Sequence, residues 1–88
     1  MSQIFDRATI EEVLWRGLKA VGGVLSERAL ADIAILIRAG EHLVAYEAIA
    51  TQAYEYSVRL DRESVEELKS LGLALDADAK YGEWLDGA

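Results

Sequence analysis

A chain of 88 residues makes one domain and buries only about 60% of the surface its unfolded form exposes, which leaves room for a single modest core. Hydrophobic residues at 52% exclude a disordered segment, and the absence of Cys excludes both a disulfide framework and a thiolate metal site. The net charge of −7 lies wholly in residues 41–88, where eleven acids face Arg59, Arg62, Lys69 and Lys80; such a half repels nucleic-acid phosphates and anionic membranes and attracts a basic partner.

The first residues, MSQIFDRATIEE, lack a basic region followed by an apolar one, and no stretch approaches the roughly 18 apolar residues of a membrane span, so a cytoplasmic protein is expected. Ile10, Val13, Leu14, Gly17, Leu18 and Val21 follow the i, i+3, i+4, i+7 rule and predict a helix over 10–21. Thr9 with Glu12 three residues on reads as a capping box, and Gly22 and Gly23 as the stop. Gly17 on the buried stripe costs roughly 1 kcal/mol of helix propensity, which points to a second helix backbone packed closely against it.

Ser26 caps a second helix over 27–39, with Leu30, Ile33, Ala34 and Ile37 inward, Arg28 and Asp32 outward, and Gly40 at its end. Ile35 projects with the outer face. A third helix over 41–57 opens on Glu41, whose charge suits the helix dipole; Tyr46, Ile49, Ala50, Ala53 and Tyr56 cluster on one side, opposite Glu47, Thr51, Tyr54 and Glu55. Asp61 caps a fourth helix over 62–72 carrying Val65, Leu68 and Leu71, with Gly72 as a stop that lets Leu73 fold back. Its outer face presents Glu63, Glu66, Glu67 and Ser70. Glu63 and Glu67 are like charges four apart, which costs a few tenths of a kcal/mol and gives a purely structural surface little reason to keep them. In the tail, Tyr81, Trp84 and Leu85 have the spacing of a short C-terminal helix, against which Gly82 and Gly87 argue. Short loops and an undivided chain predict an all-α fold, a small bundle of four main helices in a single domain spanning 1–88.

Catalysis finds no equipment here. The lone His42, in the first turn of the third helix beside its core face, suits packing or capping better than proton transfer, and a His-based metal site needs further ligands. Paired carboxylates abound, but general acid chemistry needs one that is buried. Asp76 and Asp78 mimic the first positions of a calcium loop, which then fails at Lys80, Tyr81 and Gly87. Ser26 opens a helix as the prosthetic-group serine of an acyl carrier protein does, yet the Asp-Ser-Leu of that family is absent. The expectation is a non-enzyme without cofactor or metal.

The segment Ala39-Gly40-Glu41-His42-Leu43-Val44-Ala45-Tyr46-Glu47, followed by Tyr54-Glu55-Tyr56 and Leu60-Asp61, resembles the MafI-type bacterial immunity proteins over roughly residues 26–72. The shared pattern is a Gly-Glu turn into a helix with Ala-x-Glu, an aromatic-Glu pair further on, and a capped fourth helix. A common Leu of Ala-x-Glu is Tyr46 here, and nothing beyond Leu75 aligns. The resemblance implies an antidote that binds the C-terminal domain of a polymorphic toxin in a one-to-one complex. Many such toxins are nucleases with basic clefts, so Glu47, Tyr54, Glu55, Glu63, Glu66 and Glu67 are the expected partner contacts, the tyrosines as anchors and the acids as steering charges. Glu47 and Glu55 also admit a plainer role, capping or pairing with Arg59. The alternative function is a helical adaptor or regulatory subunit that dimerises through Ile35 and the tail aromatics.

Overall fold

A computed structural model describes residues 5–87, which form five α-helices: α1 (Arg7–Val21), α2 (Glu27–Arg38), α3 (His42–Glu55), α4 (Arg62–Ala74) and α5 (Ala79–Leu85), with a 3₁₀ turn at Gly22–Val24 after α1. The four expected helices are present, and the short C-terminal helix joins them. Ser26, Asp61 and Asp78 open α2, α4 and α5 by accepting a backbone N–H with the side chain, at 3.1, 2.7 and 2.9 Å. The start of α1 differs from expectation. Its cap is Asp6, whose Oδ1 accepts the Thr9 N–H at 2.8 Å, so the helix begins three residues before Ile10 and Thr9 lies inside it. A carboxylate caps more strongly than a Thr hydroxyl, and the earlier start also sets Arg7 four residues from Glu11, 3.0 Å apart.

Three helices end in the same hydrogen-bonded turn. Glu41 N–H donates to Leu36 C=O, Val58 N–H to Ala53 C=O and Ala77 N–H to Gly72 C=O, each at 2.9 Å, in the six-to-one pattern that satisfies a helix's last carbonyls. The turn needs one residue at positive φ. Gly40 supplies it after α2, but Ser57 and Asp76 do so after α3 and α4. The left-handed turn at Ser57 closes off α3; Tyr56, whose N–H still bonds the Gln52 carbonyl, is the C-cap and is 55% exposed instead of facing the core as expected.

The core is one cluster: Val13, Leu14, Leu18 and Val21 of α1, Ile33 and Ile37 of α2, Tyr46 and Ile49 of α3, Leu68 and Leu71 of α4, and Leu85 of α5. Helix α3 runs through its middle and packs on α1, α2 and α5. Ala45, Ala50 and Ala53, all buried, let those three approach on different sides. Helices α3 and α4 make little direct contact; α1 on one side and α5 on the other pack against both. Gly17 is covered by side chains rather than by a helix backbone, since a Cβ there would meet Leu68 Cδ2 at 3.0 Å and Ile49 Cγ2 at 3.5 Å.

Gly72 corrects a second expectation. It does not end α4, which runs on to Ala74, and Leu73 is 83% exposed rather than folded back. The glycine is buried because the phenol of Tyr46 crosses from α3 and lies where its side chain would be: a Cβ would overlap the hydroxyl and stand 2.7 Å from Cζ. Overpacking of this kind typically costs 1–3 kcal/mol, more than the roughly 1 kcal/mol that alanine gains over glycine in a helix. Gly72→Ala should therefore destabilise by about 1–2 kcal/mol, whereas Gly82→Ala, whose Cβ meets only the Lys69 stem at an ordinary 3.8 Å, should be neutral or stabilising. Urea midpoints of the two variants check this difference in sign.

Candidate functional site

Three of the six expected contact residues come together at the end of the bundle where α3 stops. Tyr54 is 53% exposed, and its ring stacks on that of Trp84 with centroids 4.5 Å apart and planes 18° from parallel. Tyr54 and Glu55 line a cleft of about 750 Å³ with Arg59, Val65 and Trp84. Glu66 lines an adjoining cleft with Lys69 and Leu73, and Leu60, Val65 and Asp86 border both. Glu55 has no ion-pair partner among the described residues, Arg59 included, while Glu66 lies 3.3 Å from exposed Arg62.

The other three lie elsewhere. Glu67 is not a free contact: its carboxylate accepts both Arg16 Nε at 3.0 Å and Arg16 Nη2 at 2.8 Å, tying α4 to α1. Helix α4 packs on α1 along this edge, so a residue assigned to an outer face from its own helix alone meets a base 51 positions away in the chain. Hydrogen bonding to Glu67 first, with the nearby charges of Glu67, Glu12 and Glu63 adding to it, holds the Arg16 pKa above its usual value. The like-charged Glu63 and Glu67 thus share a counter-ion, which the sequence pattern conceals. Glu47 is half-buried two turns before Tyr54 on α3 and lines neither cleft; its backbone carbonyl accepts the Thr51 hydroxyl at 2.7 Å.

Helix α5 supplies what sequence reasoning left open. Leu85 enters the core, and the Tyr81 ring stands nearly perpendicular to those of Tyr46 and Trp84, at 6.2 and 5.2 Å between centroids. Lys80 Nζ lies 5.1 and 5.7 Å from the Tyr81 and Trp84 ring centroids, within cation–π range. Lys69 Nζ reaches Asp86 Oδ2 at 2.7 Å, fastening α4 to the residue that ends α5. The spacing of Tyr81, Trp84 and Leu85 signalled this helix. Nothing local signals Lys69 with Asp86.

Between α4 and α5 a smaller pocket of about 230 Å³ opens, walled by Leu73, Ala77, Ala79 and Gly82, with Gly72 and Tyr46 at its floor. The Tyr46 hydroxyl makes no hydrogen bond among the described residues, although the residue is only 2% exposed. Burial pushes its pKa up to about 12, so it remains a neutral phenol able to donate and to accept. Asp86 borders this pocket and both clefts.

His42 sits at the opposite connection. Its Nε2 is 3.0 Å from Glu11 Oε2, an oxygen that also accepts Arg7 Nε at 3.0 Å. The arrangement ties α1 to the start of α3 and leaves the imidazole facing a carboxylate. Asp76 and Asp78 serve backbone geometry, the former in the left-handed turn after α4 and the latter as the α5 cap. Among the described residues no group of three or more His, Asp or Glu side chains is arranged to hold a metal ion, and no helix is long and apolar enough to cross a membrane. Comparison of the chain with protein-family models, with curated proteins and with solved structures finds no match in any of the three.

Two measurements follow from these ties. Hydrogen bonds from His42, then from Arg7, hold the Glu11 carboxyl below its ordinary 4.5, and backbone N–H groups do the same for Asp6 and Asp61 below 3.8. A carboxyl lowered on folding stabilises fully above its unfolded value and loses that contribution as pH falls through the folded one. Stability should thus decline as pH drops below about 4.5, and Glu11→Gln should flatten that decline relative to the parent in urea titrations. For Arg16 and Glu67, a double-mutant cycle to alanine should return a coupling of about 0.5–1 kcal/mol, the upper end for a solvent-accessible bidentate pair.

Proposed function

We propose that this chain binds and neutralises a basic protein domain, in the manner of the MafI-type immunity proteins that residues 26–72 resemble. The observation that carries the reading is Glu55, a carboxylate without an ion-pair partner among the described residues, beside a half-exposed Tyr54–Trp84 stack on the half of the chain that holds the entire charge excess. Stacked aromatics are stiff and amphipathic, and such side chains carry a large share of interface energy. Carboxylates around them steer a basic partner and penalise wrong ones. A nuclease toxin presents a positive cleft for phosphates, and an acidic helical end can fill that cleft or its rim. The contact set narrows to Tyr54, Glu55 and Glu66, with Trp84 and Asp86 added from α5, Glu63 and Glu47 at the margin, and Glu67 assigned to the fold. The complex is one-to-one and needs neither cofactor nor direct contact with nucleic acid.

Co-expression with the product of the neighbouring toxin gene should let cells survive, and association of the purified pair should slow steeply with salt. Reversing Glu55 and Glu66 together to Lys should lower the association rate about tenfold and weaken protection while leaving helicity intact. Association that ignores ionic strength contradicts the electrostatic mechanism. Ile35, 59% exposed, favours one other reading, a dimeric adaptor. Sedimentation should show a monomer, whereas a tight dimer abolished by Ile35→Lys would replace the antidote with the adaptor.

A further inference from the structure

We propose that the pocket between α4 and α5 receives one aromatic side chain with a polar end, a Tyr or Trp flanked by basic residues, from the protein partner. The inference rests on the reading of this chain as a binder of a basic domain and assigns that partner its anchor.

Three observations point to this occupant. First, the pocket holds about 230 Å³, below the roughly 300–1,000 Å³ of sites that enclose a whole drug-sized ligand, yet ample for one ring. Interface anchors fill pockets of this kind. Second, the floor carries the Tyr46 hydroxyl, which has no hydrogen-bond partner among the described residues and is not sealed from solvent, so it is open to the pocket. A phenol O–H or indole N–H entering from above would pair with it in place of solvent. A Phe would not. Third, the rim is acidic: Asp78, Glu83 and Asp86 surround the opening with Lys69 as the sole base, and that base is already paired with Asp86. Flanking Lys or Arg residues complement such a rim, and flanking acids are repelled by it. The Lys69–Asp86 pair also separates this pocket from the Glu66 cleft, so one partner segment can span both.

Gly82 is the position at which to narrow the pocket. A Cβ at Gly82 meets Lys69 at 3.8 Å and nothing closer, so Gly82→Leu adds apolar bulk at the pocket wall and removes a helix-interior glycine. The experiment is titration of the isotope-labelled full chain, followed by amide chemical shifts, with the capped tripeptides Ac-Lys-Tyr-Lys-NH2 and Ac-Lys-Trp-Lys-NH2. At least one should move the Gly72, Ala77 and Gly82 resonances and bind about tenfold more tightly than Ac-Lys-Ala-Lys-NH2. Exchanging its lysines for glutamates should weaken it several-fold, as should Tyr46→Phe, and Gly82→Leu should abolish binding with the melting temperature equal or higher. Equal binding of the alanine tripeptide, indifference to Gly82→Leu, or para-cresol alone binding as tightly as the tyrosine tripeptide would overturn the proposal. The last outcome would mark a pocket for free phenols. Because the titration requires no cognate toxin, it decides the pocket separately from the survival assay that decides the antidote reading.

Discussion

The phenol of Tyr46 lying across Gly72 is the contact on which the arrangement of this bundle depends. Helices α3 and α4 make little other direct contact, and the ring spans the gap between them where any side chain at position 72 would collide with it. The same ring meets that of Tyr81 nearly at right angles, so α5 docks on a surface that α3 and α4 build together. From there Tyr81 meets Trp84, and Trp84 stacks on Tyr54 back on α3. Four aromatic rings thus run from the core to the proposed contact surface. Their geometry is inherited from one buried pair, a bulky ring and a residue with no side chain.

The acids divide by what they do, and the division explains why the charge excess alone was an incomplete guide. Asp6, Asp61 and Asp78 spend their carboxylates on helix N–H groups. Glu11 and Glu67 join helices by accepting Arg or His donors, and Asp86 holds the end of α5 to α4. What remains without an ion-pair or side-chain hydrogen-bond partner among the described residues includes Glu55, Glu63 and Glu83 in the acidic half. Glu55 and Glu83 are charges a partner would meet with no direct ion pair to displace, whereas Glu63 feels the nearby Arg16.

Helical periodicity made the all-α fold legible, since apolar stripes such as Val13, Leu14, Leu18 and Val21 admit only a helix with one buried face. Caps at Ser26 and Asp61 were equally plain, being local side-chain chemistry. What escaped was everything that depends on a distant neighbour. Gly72 looked like a stop because glycine usually is one; its role as a recess is set by a tyrosine 26 positions earlier. Glu67 looked like open surface because a single helix projection cannot show Arg16 beside it. Tyr56 looked buried because periodicity alone does not show that the core stops short of the end of α3, where this residue is the exposed C-cap. The proposed contact face was half-legible for the same reason, with Tyr54 and Glu55 readable on α3 and their companion Trp84 placed only by tertiary packing.

Helix α5 has seven residues, well under the 12–15 or so at which an isolated helix becomes even marginally stable in water. Its helicity is therefore borrowed from Leu85, Tyr81 and the Lys69–Asp86 tie, and it forms and melts with its docking. Undocking removes, in one event, a wall of the Tyr46 pocket, the ring that stacks on Tyr54 and the acid that borders all three openings. The proposed recognition surface is consequently a cooperative unit with an opening free energy of its own, smaller than that of the bundle beneath it. Any ligand seated there adds its binding energy to keeping α5 closed, and amide exchange in residues 79–85 would slow on occupancy before the remainder of the protein registered a change.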